Sequence, residues 1–86
     1  MQHRRRHTAP NTAEKLFGQA LRELRKERGI SQETLAFESG YHPTYIGQLE
    51  RGKKSPSLRA ILCLANVLDT HGSEILRRVE AFLDKD

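Results

Sequence analysis

Apolar residues recur along most of this chain at intervals of three and four, the spacing of one face of an α-helix. The period appears in five segments, separated by glycine, proline and serine-rich breaks. No segment alternates apolar and polar residues in the Val/Ile/Thr-rich manner typical of a half-buried strand. The pattern therefore predicts an all-α fold of five helices.

The first predicted helix begins at Asn11 or Thr12, because Asn11 and Glu14 have the spacing of a capping box. It ends before Gly29, which can adopt the left-handed conformation of a helix C-terminus. Its apolar stripe consists of Leu16, Phe17, Ala20, Leu21 and Leu24.

The second and third predicted helices are short and are joined at Gly40, where a positive φ has no steric cost. Ser31 is the expected N-cap of the second helix, which ends near Ser39. The third helix runs from about His42 to Arg51, and Pro43 suits its first turn. The inward residues of the pair are Leu35, Ala36, Tyr45, Ile46 and Leu49.

Ser57 is the expected cap of the fourth helix, and the fifth runs over about residues 72–84. The inward residues of the fourth helix are predicted to be Leu58, Ile61, Leu62, Leu64, Ala65 and Leu68. The fifth carries Ile75, Leu76, Val79, Phe82 and Leu83, a stripe wider than the fourth helix alone should cover. We expect Val79, Phe82 and Leu83 to form a two-fold interface with part of the fourth helix. The alternative is that the last helix folds back and completes the core of the monomer.

Length and composition indicate one small domain, since the chain has 86 residues, 36% hydrophobic and 30% charged. We divide it into a basic arm at residues 1–11 and a helical domain at residues 12–86. No apolar run approaches the roughly 18 residues of a membrane span, and no signal-peptide core is present. The single Cys63 fits a reducing compartment, and we expect a cytoplasmic protein. A net charge of +4 and a pI of about 9.6 favour an anionic partner.

Two short helices joined by a glycine-containing turn describe a helix-turn-helix, whose second helix enters the DNA major groove. Several motifs carry a more specific signal: Gly29-Ile30-Ser31-Gln32, Leu35-Ala36, Gly40, Ile46, Leu49–Lys53 (LERGK) and Pro56–Leu58 (PSL). With them, the segment from Leu16 to Leu76 resembles the XRE-type helix-turn-helix family of phage repressor and Cro proteins. It is most similar to small single-domain members such as restriction–modification controller proteins. The resemblance implies a five-helix repressor-like domain and a transcriptional regulator that binds double-stranded DNA at a pseudo-palindromic operator as a homodimer.

The outward face of the third helix carries the candidate base contacts. Thr44 and Gln48 are four residues apart and opposite the apolar positions. A threonine can contact a base edge or a thymine methyl, and a glutamine can pair with adenine. His42 is either a further contact or the helix cap, while Pro43 offers an apolar contact and Arg51 a charged one.

The candidate phosphate contacts flank this face. Gln32 begins the second helix, where free backbone N–H groups favour an anion, and the resemblance implies that its amide adds to the contact. Lys53, Lys54 and Ser55 follow the third helix and should lie along the DNA backbone. The ring of Tyr45 is expected to pack on the domain while its hydroxyl reaches a phosphate.

Three other features have two interpretations each. The arm is either a minor-groove contact or a solvated tail, and its basic residues are Arg4, Arg5 and Arg6. The resemblance implies that Arg25 and Glu50 form a partly buried ion pair that orients the third helix, although by sequence alone both could be surface charges. Gly47 in mid-helix is either a site of close approach to the DNA backbone or to a partner subunit, or it is merely tolerated.

Other function classes receive less support. An antitoxin-like protein on the same fold would have a protein as its main target, and an activator would contact RNA polymerase, for example through Glu33 and Glu38 of the second helix. The sequence has no signature of an enzyme site and no cofactor motif. His3, His7 and Cys63 fall short of the four ligands of a closed zinc site, so we expect no metal.

Overall fold

The computed structural model describes residues 12–84 and contains five α-helices in that range. They are α1 (Thr12–Arg28), α2 (Gln32–Ser39), α3 (Pro43–Glu50), α4 (Leu58–Val67) and α5 (Gly72–Leu83). The predicted all-α fold is confirmed, and the bounds agree with the sequence pattern to within two residues. Asn11 and the arginines of the arm lie outside the described residues.

The helix ends follow local side-chain chemistry. The hydroxyl of Ser31 accepts a hydrogen bond from the Thr34 backbone N–H at 3.0 Å, and that of Ser57 accepts one from Ala60 at 3.0 Å. Both are N-caps that satisfy an otherwise unpaired donor. Gly40 ends α2 with a φ of 80° and donates its N–H to the Ala36 carbonyl at 2.9 Å. The bonds of Ser31 and Gly40 set the ends of α2, and both α2 and α3, at eight residues each, are too short to be stable without packing against the rest of the domain.

α1 packs its apolar stripe against α3 and α5, α2 packs on α3 and α4, and α4 also contacts α5, so the core lies between these helices. Its largest fully buried side chains are Leu21, Leu35, Ile46, Leu49, Leu64 and Ile75. α1 and α3 approach unusually closely at Gly18. A Cβ atom there would lie 2.5 Å from the carbonyl oxygen of Glu50 and would also collide with that of Leu49. The missing side chain therefore sets the distance between α1 and the end of α3.

α5 is held to α1 by charge as well as by apolar packing. The guanidinium of Arg78 donates to Glu27 on α1 at 2.7 Å and to Glu74 on its own helix at 3.1 Å. The hydrogen bond from Arg78 lowers the pKa of Glu27. Bonds from Arg77 and then from Arg78 lower the pKa of Glu74 to about 2. Ion pairs as well as apolar contacts thus join α5 to α1 of the same chain.

This arrangement corrects the predicted role of several apolar residues. Val79, assigned above to a dimer interface, is 7% exposed and belongs to the core of the single chain, and Leu83 packs against that core. Phe82 is half-buried. Leu58 and Leu62, predicted to point inward, are instead 73% and 56% exposed, and Leu76 of the apolar stripe of α5 is 45% exposed. α5 packs against α4 and α1 so that the face of α5 with Val79 is buried, whereas Leu76 is exposed to solvent.

Within residues 12–84, no helix is both long enough and apolar enough to cross a membrane.

Candidate nucleic-acid interface

The first turn of α3 is exposed and is shaped by a histidine cap. Nδ1 of His42 accepts a hydrogen bond from the Thr44 backbone N–H at 3.1 Å, so His42 is the helix cap. Its Nε2 is left for an external contact. Pro43 occupies the first helical position, and its ring and the Thr44 side chain are exposed. The turn between α2 and α3 therefore presents these three residues to solvent.

One face of α3 carries the residues predicted to read bases. Thr44 and Gln48 are separated by four residues and lie on the same side of the helix, away from the buried Ile46 and Leu49. Arg51 follows one turn after Gly47, and its guanidinium lies over that glycine. The face is polar, and nothing in the described chain covers Thr44 or Arg51.

The C-terminal end of α3 is anchored by a carboxylate that accepts three hydrogen bonds. Glu50 accepts hydrogen bonds from Nε of Arg25 at 2.6 Å, from Nη2 of Arg25 at 3.1 Å and from Nε2 of Gln32 at 2.9 Å. Arg25 also donates to the Ile30 carbonyl at 2.9 Å. The side chains of the ion pair are 11% and 3% exposed. The pair implied by the family resemblance is therefore present, and it links α1, α2 and α3 at one point.

Gln32 forms a hydrogen bond with Glu50 that was not predicted from the sequence. One amide N–H binds Glu50, so a single amide N–H remains for a phosphate. The bond to Glu50 also fixes the direction of the side chain. The hydrogen bond with Glu50, followed by its charge, raises the pKa of Arg25, so the guanidinium keeps its charge despite burial.

A basic loop follows the C-terminal end of α3. Gly52 turns the chain with a φ of 71°, and its N–H bonds to the Leu49 carbonyl at 3.1 Å. The N–H of Lys53 bonds to the Gln48 carbonyl at 2.8 Å, which ties the loop to the helix. The exposed side chains of this basic loop are those of Lys53, Lys54 and Ser55. Its charges thus flank the polar face of α3.

Tyr45 is half-buried against the domain, as the sequence suggested for its ring. Its ring centroid lies 5.0 Å from that of Tyr41, with the planes tilted by 45°. Burial raises the pKa of Tyr45, and the neighbouring Tyr41 raises it further, while a hydrogen bond with the Ser57 backbone opposes both. Tyr45 is therefore a neutral hydroxyl at neutral pH, able to donate a hydrogen bond.

Three leucines of α4 and α5 are exposed in the described chain, and we call them the leucine patch: Leu58 and Leu62 lie one turn apart on α4, and Leu76 lies on α5. An apolar groove adjoins it and is lined by residues of α1, α4, α5 and the loop that precedes α4, among them Phe17, Pro56, Ile61 and Leu76. Sequence reasoning missed the exposure of this patch. It also missed Gly18, whose only signal was a glycine inside a strongly periodic helix.

Comparison with known proteins identifies the family. The helix-turn-helix family HTH_3 matches residues 21–75, which include α2, α3 and α4. The chain belongs to the XRE-type helix-turn-helix family. XRE-type proteins are DNA-binding transcription regulators, and this chain is accordingly a transcriptional regulator of that type.

Relatives within the XRE-type family include controller proteins. The chain is 39% identical over 67 residues to control protein C.BamHI of Bacillus amyloliquefaciens, covering 77% of this chain and 83% of that protein. It is 52% identical to the restriction-modification controller protein C.AhdI of Aeromonas hydrophila, whose structure aligns with a TM-score of 0.69 over 71% of this chain and 92% of that one. The clp gene regulator ClgR of C. glutamicum aligns with a TM-score of 0.77 at 28% identity, over 80% and 88% of the two chains.

Proposed function

We propose that this protein is a cytoplasmic regulator that binds a pseudo-palindromic operator as a homodimer, with α3 of each subunit in the major groove. The observation that carries the proposal is the polar, uncovered face of α3 held at its C-terminal end by the Glu50 carboxylate. A reading helix must be held rigidly, because hydrogen bonds to base edges tolerate little displacement.

The proposed contacts follow from the exposed side chains. Thr44 and Gln48 contact base edges, and the cap His42, Pro43 and Arg51 extend the base-contacting surface on either side. Gln32 and Tyr45 offer one donor each to phosphates, and the lysines of the basic loop add contacts that do not depend on sequence. Arg4, Arg5 and Arg6 are proposed to enter the adjacent minor groove.

The leucine patch is the proposed dimer surface, in place of the Val79-centred surface expected from the sequence. A second copy of the chain is its proposed occupant, because one helix on a few base pairs gives little specificity and two-fold operators require two-fold proteins. Large apolar side chains grouped on a small domain are also typical of an interaction site. The half-buried Phe82, at the end of α5, is proposed to lie at the edge of this interface.

Sedimentation equilibrium of Leu62→Lys tests the dimer. We expect the wild type to sediment as a dimer and the variant as a folded monomer, since the new charge would face an apolar partner. Phe37→Lys is the matched control, because Phe37 is 86% exposed on α2, outside the patch. A monomeric wild type, or equal dissociation of both variants, would contradict the assignment.

Selection of binding sites from a random duplex library tests the DNA proposal. At near-physiological salt, we expect enrichment of inverted half-sites about one helical turn apart. Thr44→Ala and Gln48→Ala should each relax preference at separate base pairs, at a cost of about 1–3 kcal/mol per lost contact. Weak, salt-sensitive binding without any enriched sequence would refute sequence-specific reading.

A protein contact through α2 is the second candidate, and the exposure of Phe37 favours it. Phe37 is 86% exposed next to the exposed carboxylates of Glu33 and Glu38. An apolar side chain with acidic neighbours suits a protein partner with a basic, partly apolar surface, such as RNA polymerase or a toxin. Phe37→Ser should then reduce regulation of a reporter gene while operator affinity stays unchanged. Unchanged regulation would rule out this contact.

A further inference from the structure

Gly47 in the middle of α3 is buried although it has no side chain. A Cβ atom built at this position would lie 2.9 Å from Nη1 of Arg51, 3.7 Å from its Cζ and 3.8 Å from its Nη2. These are the three nearest atoms, and all belong to the guanidinium group. Arg51 therefore folds back by one helical turn and places its guanidinium in the space that any other residue at 47 would use.

No acidic side chain within residues 12–84 holds Arg51 in that place. In the described part of the chain, its guanidinium has neither an ion pair nor a hydrogen bond. The guanidinium instead lies over the bare backbone at Gly47. All five N–H donors of the guanidinium stay available to an external acceptor.

We call the space over Gly47 that the Arg51 guanidinium occupies the seat. It lies on the face of α3 that carries the other candidate base contacts. Residues 44, 47, 48 and 51 are related by steps of three and four, so they share one side of α3. Arg51 thus lies alongside Thr44 and Gln48. A guanidinium fixed in orientation matches the paired acceptors O6 and N7 of guanine, whereas a mobile one must first be ordered.

We propose that Gly47 is a specificity-determining positioning residue, whose bare backbone seats the Arg51 guanidinium on the reading face of α3, where Arg51 reads a guanine. The reading role rests on the proposed function, whereas the seat is a property of the free protein. This assignment also gives a reason for glycine inside a helix, where alanine would be more favourable. Close approach to the DNA backbone or to a partner subunit was the reason considered from the sequence, and an approach to DNA makes a different prediction.

The seat is tested without DNA by the mobility of arginine side chains. The measurement is the ¹⁵N heteronuclear NOE of the Nε–H group of Arg51 in the wild type and in Gly47→Ala. Arg59, exposed on α4 and without an ion pair in the described chain, is the internal reference for a free arginine. We expect the Arg51 value to exceed that of Arg59 and to fall to it in Gly47→Ala. The variant should fold normally, because only the far end of a flexible side chain must move. Equal mobility of Arg51 and Arg59 in the wild type would overturn the seat.

The reading role is tested by binding-site selection with four proteins: wild type, Gly47→Ala, Arg51→Gln and the double variant. We expect the wild type to enrich a guanine at one position of each half-site and Arg51→Gln to lose it. Gly47→Ala should weaken binding to the guanine site by about two- to tenfold, because the guanidinium would then have to be ordered on binding. In the Arg51→Gln background, the same change should have no further effect.

Two outcomes would overturn this role. An equal loss from Gly47→Ala in both backgrounds would mean that DNA approaches the glycine itself and that Arg51 is not involved. No enriched sequence for the wild type would refute the proposed function and with it the reading of guanine. The NOE measurement would still decide the seat, so the two failures can be told apart.

Discussion

Replacement of Glu50 by alanine is the most direct test of how α3 is held. The change removes the acceptor of three hydrogen bonds, two from Arg25 and one from Gln32. The side chain of Arg25 is 11% exposed and would keep only the Ile30 carbonyl as a partner. Breaking a buried pair by removal of one partner typically costs about 3–5 kcal/mol, because the other charge stays buried without compensation.

That loss is large for a domain of this size. A chain of 86 residues is expected to have a free energy of unfolding of about 4–13 kcal/mol. A loss of about 3 kcal/mol corresponds to a Tm lower by about 12 °C or more. The assay is urea denaturation followed by circular dichroism, together with a thermal melt. Glu38→Ala, which removes an exposed carboxylate from α2, is the control and should stay within about 0.5 kcal/mol of the wild type.

A result within about 1 kcal/mol of the wild type for Glu50→Ala would refute the reasoning, since the pair would then behave like a surface salt bridge. The double variant Arg25→Met, Glu50→Leu separates burial from pairing. It should be more stable than Glu50→Ala, because it leaves no unpaired charge in the site.

Three further outcomes are expected. Gly18→Ala should lower the free energy of unfolding in urea by about 1–3 kcal/mol, since its Cβ would collide with backbone carbonyls of α3, although alanine is the better helix former. Bonds from Arg77 and then Arg78 lower the pKa of Glu74 to about 2, so this carboxylate stabilises the fold above its usual pKa of about 4.3, and the contribution is lost as the pH falls towards 2. Arg77→Gln should therefore flatten the pH dependence of Tm in that window, because it removes the main cause of the lowered pKa. Alanine at both lysines of the basic loop should reduce the slope of log K against log salt by about 2 per bound chain, measured by a fluorescence anisotropy titration.

The parts of the fold that depend on local chemistry could be predicted from the sequence. The caps Ser31 and Ser57 and the turn at Gly40 are determined by residues within four positions of each other. The pairing of Arg25 with Glu50 is different, because the two are 25 residues apart. From charge and spacing alone, both residues could have been surface charges, and only the family resemblance predicted that they pair.

The exposed surface could not be predicted, because it depends on how helices cross. α4 carries leucines on several sides, and periodicity does not tell which side a neighbouring helix covers. The structure buries Leu64 and leaves Leu58 and Leu62 exposed. For the same reason, the sequence pattern of α5 did not show that Val79 is buried in the core and that Leu76 is exposed. Gly47 was ambiguous for a related reason: no sequence rule indicates that an arginine four residues later will fold back over it.

The two ends of α3 are held by different means, and this difference bears on how DNA would be read. Its first turn is supported by a local bond to the His42 cap. Its last turn is fixed by α1, through the close approach at Gly18 and the bonds of Glu50. A disturbance of α1 should therefore change base preference more at Gln48, near the anchored end, than at Thr44. Binding-site selection with Gly18→Ala would measure both positions, and an equal loss at the two would mean that α3 moves as one rigid unit.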